Sequence, residues 1–121
     1  MPPNDGPKHY DLEERTYGFA RDVREFARQL PHTVANLEDV RQVVRASGSV
    51  GANYIEANES LGKKDFLMHV KICRKEAKES RFFLRLLFTD GKSDLEETRS
   101  DLVQKATELM NILGATIRKS Q

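Results

Sequence analysis

Between Lys63 and Phe88 the chain sorts its side chains by helical position. At about 100° per residue, Phe66, Val70, Cys73, Ala77, Ser80, Leu84 and Leu87 fall within about 60° of one direction, the stripe a helix buries. Lys63, Lys64, Lys71, Arg74, Lys75, Lys78, Arg81 and Arg85 gather on one flank, and Asp65, Glu76 and Glu79 on the other. Eight cations against three acids give this segment a charge of +5, whereas the whole chain carries +1. The remainder is net acidic, so positive charge is concentrated on one face of one helix.

The same projection shows a second apolar strip, Met68, Ile72, Phe83 and Leu86, well away from the first. A surface helix packed on one side has no use for it. Either neighbouring helices of the same monomer cover it or it is a subunit interface.

A chain of 121 residues is one domain, large enough to fold without disulfides or a structural metal. Its one cysteine, Cys73, lies on the buried stripe and reads as a small hydrophobe rather than a nucleophile. A single thiol suits a reducing compartment. No apolar run approaches the roughly 18 residues needed to span a bilayer, and Met1–Tyr10 lacks the regions of a signal peptide. The expectation is a soluble, cytoplasmic protein with no membrane partner.

The opening MPPNDGPKHY, with three prolines and a glycine, reads as a disordered leader over residues 1–10, ahead of a single bundle domain over 11–119. Asp11 with Glu14 forms a capping box for a first helix, whose apolar steps are Leu12, Thr16, Phe19, Val23, Phe26 and Leu30. Pro31 ends it, and Asn36 with Asp39 is placed to cap the second helix. That helix reads Leu37, Val40, Val44, Ser47, Gly51, Tyr54 and Leu61 on one side, widened by Val43, Val50 and Ala57. Its centre is small: Ala46, Ser47, Gly48, Ser49, Gly51 and Ala52. Each glycine inside a helix costs about 1 kcal/mol against alanine, so close approach of a neighbouring helix is the natural compensation. A phosphate loop is excluded by the missing lysine and the missing strand. Gly62 breaks the pattern before the third helix. The turn around Gly91 leads to Ser93 and Glu96, a further capping box, and the fourth helix buries Leu95, Leu102, Ala106, Leu109, Leu113 and Ile117. Four helices with short connections predict an all-α, antiparallel up-down-up-down four-helix bundle.

Bundles often house di-iron sites, which need Glu-x-x-His pairs. None of His9, His32 or His69 follows a glutamate by three residues, and one cysteine with three scattered histidines offers no zinc spacing. His69 reads as a boundary histidine. Asn53, Glu56, Asn58, Glu76 and Glu79 are the candidates for acid–base work, with no serine, cysteine or histidine constellation beside them. Ion pairs between helices involving Arg81 or Arg85 explain them more simply, so no catalytic residue, metal or cofactor is expected.

The segments SVGANYIEAN (49–58), KKDF (63–66) and KEAKESRFFL (75–84), with the opening DLEERTYGFA, resemble the 23S rRNA intervening sequence proteins, over nearly the whole stretch from Asp11 to Arg118. Ser49, Asn53, Glu56, Lys64, Phe66, Lys75, Glu76 and Glu79 occupy that family's motif positions. Leu61-Gly62 departs from a more polar helix junction, and Phe82-Phe83 stands where Tyr or Trp is commoner. The resemblance implies a four-helix bundle. Through the accessory proteins of diversity-generating retroelements it also implies a basic pentameric ring that binds nucleic acid and a reverse transcriptase.

Together these readings predict a non-catalytic homo-oligomer, a pentamer by resemblance, with Met68, Ile72, Phe83 and Leu86 at the interface. RNA or DNA would be held by Lys64, Lys71, Arg74, Lys75, Lys78, Arg81 and Arg85, joined by Arg21, Arg24 and Arg28 on helix one. The competing expectation is a scaffold that recognises an acidic protein surface and has no affinity for nucleic acid.

Overall fold

The computed structural model describes residues 8–121, with side chains from residue 12 onward. Among them are four helices and no strand: α1 (Lys8–Arg28), α2 (Val34–Asn58), α3 (Lys63–Leu86) and α4 (Ser93–Ser120). Each packs on two others, in the cycle α1–α2–α3–α4–α1, and the diagonal pairs stay apart. The result is a four-helix bundle of square section.

The apolar periodicity carries the core. All six steps of α1, from Leu12 to Leu30, are buried, as are Val70, Cys73, Ala77, Ser80, Leu84 and Leu87 from α3 and its exit, and the six expected residues of α4. Phe66 is half-buried and packs against the cluster from its edge. Burial pushes the Cys73 thiol up to about 12. Tyr54, also buried, is raised to about 12 by the same desolvation, with a hydrogen bond from Asn58 opposing it.

The helix boundaries correct several sequence readings. Asp11 lies inside α1 (Lys8–Arg28) and not at its start; of the expected leader, residues 1–7 lie outside the described residues and 8–10 are helical. The cap of α2 is Thr33, in extended geometry, whose hydroxyl accepts the Asn36 N–H at 3.0 Å. Asn36 is a buried clamp instead. Its amide donates to the carbonyls of Pro31 (2.9 Å) and Phe88 (2.8 Å), and its Oδ1 accepts the Phe88 N–H (2.8 Å). One side chain thus ties the α1–α2 connection to the α3–α4 connection and satisfies backbone groups that no helix can.

Ser93 is likewise already helical. Lys92 holds the extended cap position without a side-chain bond, after a left-handed turn at Asp90 (φ 59°) and Gly91 (φ 70°). Glu96 pairs with Arg99 and accepts from the Thr89 hydroxyl, and these bonds, Arg99 first, hold its carboxyl below the usual range. Arg99 also donates to the Leu87 carbonyl, which closes the connection.

The α2 stripe is rotated from the one expected. Its centre is Val43, Ala46, Val50, Tyr54 and Ala57, whereas Leu37 is half exposed and Leu61, beyond the helix, is wholly so. Leu37 sits roughly 140° around α2 from Val50, on the outer side toward α1. The small centre of α2 does serve close approach. A Cβ on Gly51 would stand 3.1 Å from Thr16 Oγ1 and 3.4 Å from Thr16 Cβ on α1, tighter than side chains ordinarily allow.

Candidate functional site

The two flanks of α3 meet different neighbours. On the side of α2, Glu76 is buried and lies 3.5 Å from Arg45, and the same guanidinium reaches Glu79 at 3.0 Å. Two acids of α3 therefore share one arginine of α2. On the side of α4, Lys71, Arg74, Lys75 and Lys78 line a groove of about 250 Å³ together with Ile117. All four are exposed, and none has an ion-pair partner among the described residues.

The groove exists because α4 presents little bulk here. Gly114 is buried, and a Cβ on it would meet Arg118 Nη1 at 3.5 Å and Arg74 Nε at 3.7 Å. Both guanidinium groups lie over that glycine, with Ile117 as an apolar neighbour. Arg118 is thus a fifth cation of the cluster, missed in the sequence because it belongs to another helix. Its signal was the basic last turn of α4, Arg118-Lys119.

The other expected cations divide. Arg81 is half-buried and donates to Thr107 Oγ1 at 3.2 Å, so it ties α3 to α4 and does not face an external ligand. Lys64 and Arg85 are exposed near the two ends of α3, away from the groove lining. Arg21, Arg24 and Arg28 line a different groove, between α1 and α2, and α1 does not reach α3.

Of the expected interface residues, Met68 and Leu86 are about half exposed, Ile72 is intermediate, and Phe83 packs against the core. The neighbouring Phe82, 56% exposed and edge-on to Phe83 with 5.2 Å between ring centroids, takes the outer position. The acid–base candidates do not assemble: Glu56 is exposed, whereas Glu76 is buried against Arg45. His69 is half-buried, with Nδ1 3.3 Å from Asn53 Oδ1 and Nε2 3.7 Å from Asp65. Among the described residues no three His, Cys, Asp or Glu side chains converge as metal ligands, and no helix is long and apolar enough to cross a membrane.

This is the architecture of a small basic-flanked helical bundle, and comparison with known sequences agrees. The sequence profile of the 23S rRNA-intervening sequence protein family matches residues 8–115, and the chain belongs to that family. No curated protein matches. Among solved structures, the chain is similar to a protein of unknown function from the S23 ribosomal protein family of Bacteroides thetaiotaomicron VPI-5482. The TM-score is 0.79 at 24% identity, covering 93% of this chain and 99% of that one. That likeness supports the fold alone.

Proposed function

We propose that this protein is a cytoplasmic, non-catalytic, oligomeric module that binds nucleic acid through the α3–α4 groove. The observation that carries the reading is the groove itself. Lys71, Arg74, Lys75 and Lys78, with Arg118 beside them, crowd positive charge onto one surface with no ion-pair partner among the described residues. Like charges this close repel, and the fold gains nothing from them. A polyanion relieves the repulsion, and lysines and arginines on a groove wall are the side chains that contact phosphate.

The oligomer belongs to the same reading. Copies arranged in a ring repeat a modest basic patch into an extended one, and the apolar residues left outside the core supply the contact. Within each copy we read the helices as antiparallel neighbours. Asn58, at the end of α2, bonds Glu13 near the start of α1 at 2.8 Å, and residues 29–33, 59–62 and 87–92 make short connections.

The test is a titration of fluorescently labelled single- and double-stranded oligonucleotides at two salt concentrations. Phosphate contacts release counterions, so affinity should fall steeply with salt, with little dependence on sequence. The triple variant Lys71→Glu, Lys75→Glu, Lys78→Glu should lose most of the binding while keeping its helical content. Absence of binding by the wild type at about 50 mM salt, where electrostatic association is strong, would remove the nucleic-acid reading and leave an acidic protein surface as the ligand of the same cations.

A further inference from the structure

Along α3 the positions 71, 75, 78 and 82 follow steps of four, three and four, so Lys71, Lys75, Lys78 and Phe82 stand in one row. Around the helix Phe82 lies within about 20° of Lys71 and of Lys75, and about 40° outside the strip of Met68, Ile72 and Leu86. One turn, about 6 Å along the axis, separates it from Lys78 at the end of the basic groove. The ring is 56% exposed, beside lysines that have no ion-pair partner among the described residues.

The ring is also held. It meets Phe83 edge-on, with 5.2 Å between centroids and 82° between planes, and Phe83 packs against the core. That contact restrains the side chain, so little freedom is lost when a ligand covers it. Glu79, one turn before Phe82, lies about 60° around toward α2, where Arg45 takes it at 3.0 Å. The other exposed aromatics differ. Tyr17 lines the α1–α2 groove with the Arg21 guanidinium 6.0 Å from its ring centroid, and Phe88 lies beyond the end of α3, where Asn36 clamps its backbone. Among the described residues, Phe82 is the exposed aromatic that shares a row with the lysines of the groove.

Resting on the nucleic-acid reading above, we propose that the groove takes a single strand, whose phosphates run along Lys71, Lys75 and Lys78 and whose next base stacks on Phe82. The lysines do not distinguish a single strand from a duplex, since both offer phosphates. The ring does. Inside a duplex both faces of a base are covered by its neighbours, whereas a single strand can turn a base out onto an aromatic face. Stacking of this kind accepts any base, so it selects strandedness without selecting sequence. RNA and DNA share the chemistry, because the ring meets the base and not the sugar.

The experiment uses the full chain and labelled oligonucleotides of one mixed sequence, as single-stranded DNA, single-stranded RNA and blunt duplex DNA. The wild type should prefer the single strands. Phe82→Ala should weaken binding of both single strands at least about 5-fold and leave duplex affinity unchanged. Phe82→Leu, apolar but without a π face, should lose nearly as much, and Phe82→Trp should bind at least as tightly as the wild type. The sequence contains no tryptophan, so Phe82→Trp also supplies a single fluorophore. Single strands should quench its emission as a base stacks over it, and duplex should not. Light scattering should give every variant the mass of the wild type. Equal losses for duplex and single strands, a Phe82→Leu variant that binds like the wild type, or a fluorophore that no strand quenches overturns the stacking role and leaves the groove reading intact. A change of mass in Phe82→Ala overturns it too, by showing that another copy covers the ring. A wild type that binds no oligonucleotide at about 50 mM salt removes the nucleic-acid reading and this one with it.

Discussion

The two flanks of α3 start from similar chemistry and end differently. Toward α2, Glu76 and Glu79 share Arg45, and the buried carboxylate has its counter-charge within 3.5 Å. Toward α4, four cations face a glycine, an isoleucine and another arginine. A unit charge pair at 4 Å interacts by only about 1 kcal/mol in bulk water but by several times that where water is excluded. Charge near the core therefore has to be paired, whereas exposed charge can be left unpaired at small cost. The first flank is settled by folding, and the second keeps its charge unpaired among the described residues.

The harshest way to break this comparison is to place a cation on the paired flank. Glu76→Lys would bury a lysine against Arg45 with only Glu79 to answer it. The expected cost is about 3 kcal/mol or more, in the range for an uncompensated buried charge. Urea denaturation measures it directly. A loss below about 1 kcal/mol would mean that the Glu76 site is wetter than its 6% exposure implies.

Between the flanks, the buried stripe makes stability depend on alkaline pH. The Cys73 thiol ionises near its usual 9.0 once unfolded but is held protonated to about 12 in the fold. Below pH 9 both states are protonated, so the group contributes no pH dependence. Above it the unfolded chain binds fewer protons, and stability falls as pH rises toward 12. From pH 8 to pH 10 the expected loss is about 1 kcal/mol, with Tyr54 adding to it at the upper end. Cys73→Ala should flatten the profile, and an unchanged slope in that variant would remove Cys73 as its source.

Much of this fold was legible because burial follows periodicity. Phe19, Val23 and Phe26, the α3 stripe and the α4 stripe all lie where steps of three and four put them. Helix ends were less legible, since Asp11, Asn36 and Ser93 have capping chemistry but capping is decided by the backbone. Thr33 and Lys92 hold the extended positions, and Asn36 is claimed by Phe88, 52 residues away. The basic flank could be read from α3 alone. The part Arg118 plays could not, nor could the removal of Arg81 by Thr107, because both depend on which face of α4 packs against α3. Leu37 misled for a related reason, since the outer seam of α2 is apolar too.

A gentler probe compares two glycines. Gly114→Ala beneath the basic flank would place its Cβ at ordinary contact distance from Arg118 and Arg74, and should stabilise α4 by roughly 0.5–1 kcal/mol. Gly51→Ala would crowd Thr16 at 3.1 Å, and that overpacking should outweigh the gain and lower stability. Thermal melts of the two variants should move in opposite directions. Movement in the same direction would show that the α1–α2 contact yields more easily than its geometry suggests.

The smallest expected effect sharpens where the unpaired flank ends. Lys75 lines the groove, whereas Arg85 is exposed two turns beyond Lys78 and outside the lining. Removing a side chain that contacts phosphate lowers the salt slope of binding by about 1. Lys75→Ala should show a loss of that size, and Arg85→Ala much less, with stability unchanged in both because neither side chain has an ion-pair or hydrogen-bond partner among the described residues. Equal losses would mean that the nucleic acid follows the whole length of α3. The groove against α4 would then be only its middle portion, and the charge left free by folding, not the cavity, would define the site.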